Sequence, residues 1–262
     1  MADEAKKKKW RMHMIDEVRG LAVVCMIFYH ALYTVGFMFK VKWGVDIIDK
    51  LMPAEPWFAG VFIFISGMAC NLSKSNLERG VKLGIIALGV TLVTYFFAPD
   101  FLITFGILHM LSICMILYGL IGKYLLIIPI WLGAILNVLI FTLLIGTQDG
   151  TFGVPYLIAW EFPKEWYSSN FLFIFGFPNK SFVSADYFPL LPWVFMFFCG
   201  AFIGRLIPKK KLPKWMAKKH IPPLAFVGRH ALLFYLAHQP LIILICYLVK
   251  WVMAMFMQTE PQ

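Results

Sequence analysis

Seven predominantly apolar runs partition this chain, at roughly 17–39, 54–73, 82–98, 101–121, 124–146, 186–207 and 225–250, and each is long enough to cross a hydrocarbon layer about 30 Å thick. No water is available inside such a layer, so every backbone N–H and C=O must be satisfied within the segment, and runs of this kind fold as helices. Composition agrees: 61% of the residues are hydrophobic and only 15% charged, with a mean hydropathy of +0.77, which excludes an ordinary soluble domain. The expected fold is all-α, a polytopic membrane helix bundle of about seven transmembrane helices. A basic N-terminal segment (1–11) precedes a single membrane domain (12–252) and a short C-terminal tail (253–262).

The net charge of +10 is concentrated in Lys6 to Lys9 with Arg11, Lys74 to Lys82, and Arg205 to Lys219. Basic clusters set between apolar spans read as cytoplasmic loops rather than as a nucleic-acid surface. Alternation of the spans then puts the N-terminus, Lys123 and the Lys209–Lys211 loop on the cytoplasmic side. The expected location is the plasma membrane, as a multi-pass protein with the lipid bilayer as its first partner. Met1 to Lys9 is too charged for a cleavable leader, so the first run is expected to stay as a span. The stretch Phe171–Phe177 is too short to cross and is expected at the outer interface or briefly re-entrant. It lies in a long outer loop, 147–185, rich in aromatics, proline and glycine, and such loops often serve as lids or binding surfaces. The five cysteines stand singly in apolar stretches without metal-ligand spacing, so no metal is expected.

Ionisable residues inside spans mark function by default. His30 lies eleven residues after Arg19, about three turns and 16 Å along one helix. His238 follows Arg229 by nine residues, about 14 Å, and His109 falls about 12 Å below the outer edge of its span. All three histidines fall in the middle third of the membrane, which points to a shared polar cavity. Asp16 and Arg19, at i and i+3, form either an ion pair at a helix end or part of a phosphate site. Gln239 and Pro240 follow His238 directly, and the proline frees backbone groups that can line a cavity. His13, His220 and His230 sit at helix edges, where interfacial roles suffice. The chain has no nucleophile elbow, phosphate loop, dinucleotide fingerprint or HExxH motif. A histidine acting as acid and base near neutral pH is the simplest chemistry left.

Five motifs then carry a resemblance. Ile15-Asp16-Glu17-Val18-Arg19-Gly20 running on to His30 is similar to the opening of the heparan-alpha-glucosaminide N-acetyltransferase catalytic-domain family, in its bacterial form. Phe62-Ile63-Phe64-Ile65-Ser66-Gly67, Phe105-Gly106-Ile107-Leu108-His109 and Asp186-Tyr187-Phe188-Pro189-Leu190-Leu191-Pro192-Trp193 follow in the same order. The closing stretch, Gly228-Arg229-His230 through His238-Gln239-Pro240, resembles the last helix of membrane acyltransferases. The spacing from Arg19 to His30 is also similar to the arginine–histidine motif of the acyltransferase-3 group.

The resemblance implies a transmembrane acyltransferase-like fold. It implies an enzyme that takes an acetyl or short acyl group from cytoplasmic acetyl-CoA or another acyl-CoA to a sugar-type hydroxyl or amine at the outer face. His30, His109, His238 and Asp186 are then the catalytic candidates. Asp16, Arg19, Arg229, Ser66 and Gln239 are the substrate-binding candidates, although Ser66 beside Gly67 also suits close helix packing. A homodimer is compatible with this reading. The same histidines also fit a small proton-coupled transporter or channel, against which the sequence shows no internal inverted repeat.

Overall fold

A computed structural model of the protein describes residues 12–154, 157–208 and 213–257. The basic N-terminus, the Lys209–Lys211 loop and the last five residues of the tail lie outside the described residues. Among the described residues the chain forms α1 (His13–Tyr33), α2 (Lys42–Leu51), α3 (Glu55–Cys70), α4 (Asn76–Phe97), α5 (Ile107–Leu125), α6 (Ile130–Leu144), α7 (Leu190–Gly204), α8 (Pro222–Arg229) and α9 (Ala231–Met257). An antiparallel pair of strands, β1 (Thr151–Val154) with β2 (Ile158–Glu161), follows α6. Among the described residues six helical runs are long and apolar enough to cross a membrane: His13–Met38, Lys42–Cys70, Asn76–Phe97, Ile107–Leu125, Ile130–Asp149 and Ala231–Phe256. The protein is an all-α, multi-pass membrane protein.

The helix boundaries differ from the sequence reading in instructive places. Ser75 accepts a hydrogen bond from the Glu78 N–H at 3.3 Å, and this cap starts α4 six residues before the expected 82. The runs expected at 101–121 and 186–207 both lose their outer ends. Residues 102–105 and 185–188 lie outside the helices and pair with each other, through Ala185 N–H to Leu102 O at 2.8 Å and Phe188 N–H to Phe105 O at 3.3 Å. Proline dictates the second of these: Pro189 and Pro192 bracket the start of α7, which is left with fifteen residues. The sixth expected span, 186–207, is therefore a short apolar helix rather than a full-length one. The last expected span, 225–250, is two helices, since Pro222 and Pro223 initiate α8 and the chain breaks at His230 before α9. The segment Leu172–Phe175 is a short 3-10 turn that does not cross.

Contacts divide the chain into two compact units, the first formed by Met1–Phe62 and Pro213–Gln262, the second by Ile63–Leu212. In the first, α1 packs on α8, α9 and α2. The α1–α8 crossing is set by two glycines. A Cβ on Gly20 would strike the Leu224 carbonyl, and one on Gly228 would strike the Asp16 carbonyl. Small residues let two helix backbones approach this closely, so van der Waals contact replaces the hydrophobic drive that lipid removes.

In the second unit α4 pairs with α5, α6 with α7, and α5 also meets α7. Gly67 of α3 and Gly200 of α7 repeat the device, facing the carbonyls of Phe197 and Phe64. Ser112 donates to Gly80 O at 2.8 Å across α4 and α5. Arg205, counted in sequence with the loop cations, closes α5 by donating to the carbonyls of Leu125, Leu126 and Ile128 at 2.8–3.2 Å. A cation at a helix C-terminus satisfies orphan carbonyls and complements the helix dipole.

Replacing Gly228 with valine forces the Asp16 backbone away, and overpacking of this kind costs about 1–3 kcal/mol. A lowered thermal-unfolding midpoint is expected for Gly228→Val in detergent, with no change for Leu21→Val on the exposed face of α1. Equal midpoints for the two variants would contradict a close α1–α8 crossing.

Candidate active site

The first unit carries two polar rungs between α1 and α9. The lower joins His30 Nδ1 to His238 Nε2 at 3.0 Å, with the rings stacked at 5.0 Å between centroids. The upper joins Gln239 Nε2 to Thr34 Oγ1 at 3.0 Å. Thr34 is four residues after His30, one turn and about 6 Å further along the helix. Both helices are irregular at this level. Residues Thr34–Met38 wind as a π-helix, and Pro240 interrupts the hydrogen-bond ladder of α9. Single π turns of this kind occur often at functional sites.

The hydrogen bonds fix the tautomers of the pair. His238 Nδ1 lies 2.6 Å from the Tyr235 carbonyl, which can only accept, so Nδ1 bears the proton. A neutral His238 then has a lone pair at Nε2, and His30 Nδ1 must donate to it. The proton of neutral His30 is thereby held at Nδ1, leaving the lone pair at Nε2. Among the described residues His30 Nε2 has no hydrogen-bond partner. The result is a directed chain, from His30 to His238 to the Tyr235 carbonyl, that ends in one unspent basic nitrogen. The other atom without a partner here is Gln239 Oε1, which is buried. The Tyr29 ring packs edge-on against His30 at 5.8 Å and against Phe58 at 5.9 Å.

A charged edge lies three turns away at the start of α1. Asp16 and Glu17 are both buried, and Arg19 Nη1 sits 3.9 Å from Asp16 Oδ1. Glu17, which sequence reasoning left unassigned, accepts from the backbone N–H groups of His220 at 2.6 Å and Ile221 at 2.9 Å. Its second oxygen is 3.4 Å from His220 Nδ1. Glu17 therefore anchors the entry to α8. The signal for it was the Pro222-Pro223 pair, which opens a helix and leaves the preceding N–H groups in need of an acceptor. Arg229 is exposed at the end of α8, with Nε donating to Ala225 O at 3.1 Å. Arg19 and His30 share the unbroken α1, so their separation of about 16 Å stands. Arg229 and His238 do not share one helix, because the chain breaks at His230.

His109 and Asp186 lie in the second unit, in surroundings of their own. The Gly106 N–H donates to His109 Nδ1 at 3.2 Å, so the ring proton is at Nε2, which donates to Thr91 Oγ1 at 3.2 Å. Thr91 passes its own proton to Ile103 O at 2.7 Å. Both nitrogens of His109 are spent on holding the start of α5. Asp186 Oδ2 accepts from the Ile107 N–H at 3.1 Å and so caps the same helix. Ser66 is on α3 in this unit. The structure thus brings His30, His238, Thr34 and Gln239 together in one unit and His109 with Asp186 in the other.

Compared with known proteins, residues 11–240 match the family model described as heparan-alpha-glucosaminide N-acetyltransferase, catalytic. No curated protein and no solved structure matches the chain.

The tautomers are directly measurable. Side-chain nitrogen NMR of histidine-labelled protein at alkaline pH is expected to give Nδ1-protonated signals for His30 and His238 and an Nε2-protonated signal for His109. Assignment would use the three single His→Gln variants. An Nε2-protonated His30 would contradict the direction of the chain.

Proposed function

The chain belongs to the heparan-alpha-glucosaminide N-acetyltransferase catalytic family, and from that premise we propose that it acetylates a sugar-type amine or hydroxyl at the outer face of the plasma membrane, drawing the acetyl group from cytoplasmic acetyl-CoA or a related acyl-CoA. The observation that carries this reading is the unspent Nε2 of His30, held as a base by its bond to His238. The acceptor's N–H or O–H gives its proton to that nitrogen as the nucleophile attacks the thioester carbonyl. The carbon–sulfur bond then breaks, and the imidazolium returns the proton to the departing thiolate. His238 steadies the imidazolium by accepting the Nδ1 proton bond throughout, as the carboxylate does in a nucleophile–histidine–carboxylate triad. The same Nε2 lone pair also suits an acyl carrier, in which case the acetyl group rests on His30 before the acceptor takes it.

The donor's phosphates fit the charged edge of the first unit, at Arg19 and the exposed Arg229, where charge-assisted hydrogen bonds form. The distance of about 16 Å from Arg19 to His30 suits an extended pantetheine arm. This polarity requires the N-terminus on the cytoplasmic side, as the basic loops predict. Asp16 orients Arg19 through their ion pair. Gln239 Oε1, buried and without a partner, receives a hydrogen bond from the acceptor. His109 and Asp186 serve as frame, fixing the start of α5.

Kinetics on protein in nanodiscs, with acetyl-CoA as donor and glucosamine or glucose as acceptor, test the assignment. His30→Ala is expected to lower kcat by about 10²–10⁴, the usual worth of a positioned base. Arg229→Gln is expected to raise the KM for acetyl-CoA several-fold with little change in kcat. Gln239→Leu is expected to raise the acceptor KM. Undiminished transfer by His30→Ala would remove the proposal. A proton flux lost in that variant, with no transfer by the parent protein, would favour the transporter.

A further inference from the structure

The hairpin after α6 presents an apolar face that is largely exposed, Phe162 packing on it only at Phe152. In its register Phe152 stands opposite Trp160 and Val154 opposite Ile158. Residues directly opposite in an antiparallel pair share one face, so these four side chains form a continuous apolar surface. The other face carries Thr151, Gly153, Ala159 and Glu161. The stacked rings of Phe152 and Trp160, 5.6 Å apart, lie on the apolar face. Trp160 is 54% exposed, Ile158 57%, and Leu157 at the turn 79%.

Two further observations say what occupies that face. First, the hairpin is held rather than loose. Phe162 N–H returns to Gly150 O at 2.9 Å, Tyr167 donates to Thr147 O at 2.5 Å, and Phe152 packs on Phe162 at 4.8 Å. Gly153, at φ +140°, approaches the Ile158 carbonyl so closely that a Cβ would strike it. Second, β1 begins two residues after the end of the membrane span Ile130–Asp149 and packs against α6. The ribbon therefore begins where hydrocarbon gives way to headgroups. A two-stranded ribbon is marginal in water unless its apolar face is covered. Tryptophan with aliphatic neighbours is the composition that membrane interfaces favour.

We infer that the paired strands Thr151–Val154 and Ile158–Glu161 form a membrane-interface anchor, with Phe152, Val154, Ile158 and Trp160 against lipid and Glu161 toward water. The occupant is a lipid surface. A glycan would call for polar groups among the rings, and none of the four carries a charge or an amide side chain.

Spin labels on single cysteines at Ile158, Ala159, Trp160 and Glu161, in phosphatidylcholine nanodiscs, test this by relative accessibility to oxygen and to a water-soluble nickel chelate. The parent chain, labelled in parallel, gives the background from its five native cysteines. The oxygen-to-nickel ratio is expected to alternate, several-fold higher at 158 and 160 than at 159 and 161. Quenching by brominated lipid, compared between the parent and Trp160→Phe, gives a second readout that adds no label, and part of the quenching is expected to vanish with Trp160. Four equally water-accessible labels with unchanged quenching would overturn the inference. So would protection at 158 and 160 that disappears on dilution, which identifies a second copy of the chain, or protection that appears only with added sugar, which identifies a glycan.

Discussion

A histidine carried inside an apolar helix needs a partner to hold it there, because an unsatisfied polar group in hydrocarbon costs several kcal/mol. His30 spends one nitrogen on His238, and His238 spends its other on the Tyr235 carbonyl. That short chain needs α1 and α9 in register to within a hydrogen bond. Much of the first unit supplies that register. The Gly20–Gly228 contact brings α8 against α1, Glu17 holds the entry to α8, and the Thr34–Gln239 bond ties α1 to α9 one turn above the histidines. The polar groups are thus fixed by each other and by backbone contact, with little left to lipid.

The second unit uses the same physics for a different end. Gly67 and Gly200 bring α3 and α7 together, Arg205 closes α5 at one end, and Asp186 and His109 hold it at the other. Four of the five family motifs therefore meet in pairs. The opening and closing stretches of the chain build the first unit. The segments Phe105–His109 and Asp186–Trp193 dock on each other in the second, through non-helical backbone ahead of α5 and α7 that neither run of apolar residues announces.

The sequence made the membrane class legible, because length and hydropathy alone decide it, and it made His30 and His238 legible, because a histidine in a long apolar run stands out. What it concealed were features set by partners distant in the chain. Residues 102–106 and 186–189 read as helix from their apolarity, and only the structure, with hydrogen bonds between the two segments, shows them outside the helices. The break at His230 was masked by apolar residues on both sides. His109 stood at the same estimated depth as the other two histidines. Depth, however, carries no information on neighbours, and its nitrogens turned out to be committed to Gly106 and Thr91. Thr34 was passed over because a buried threonine looks ordinary until its one-turn spacing from His30 is set beside Gln239. The Phe152–Trp160 ribbon was hidden inside a loop whose length and composition suggested a lid or a binding surface.

The central claim is that the free nitrogen of His30 is the reacting base of an acetyltransferase. Diethyl pyrocarbonate attacks unprotonated imidazole nitrogen, and the modified residues can be mapped by mass spectrometry while transfer from acetyl-CoA to glucosamine is followed. Carbethoxylation of His30 is expected to track the loss of transfer, with acetyl-CoA and glucosamine together slowing both. Full transfer by protein modified at His30, or complete loss of transfer with His30 untouched, would contradict the account.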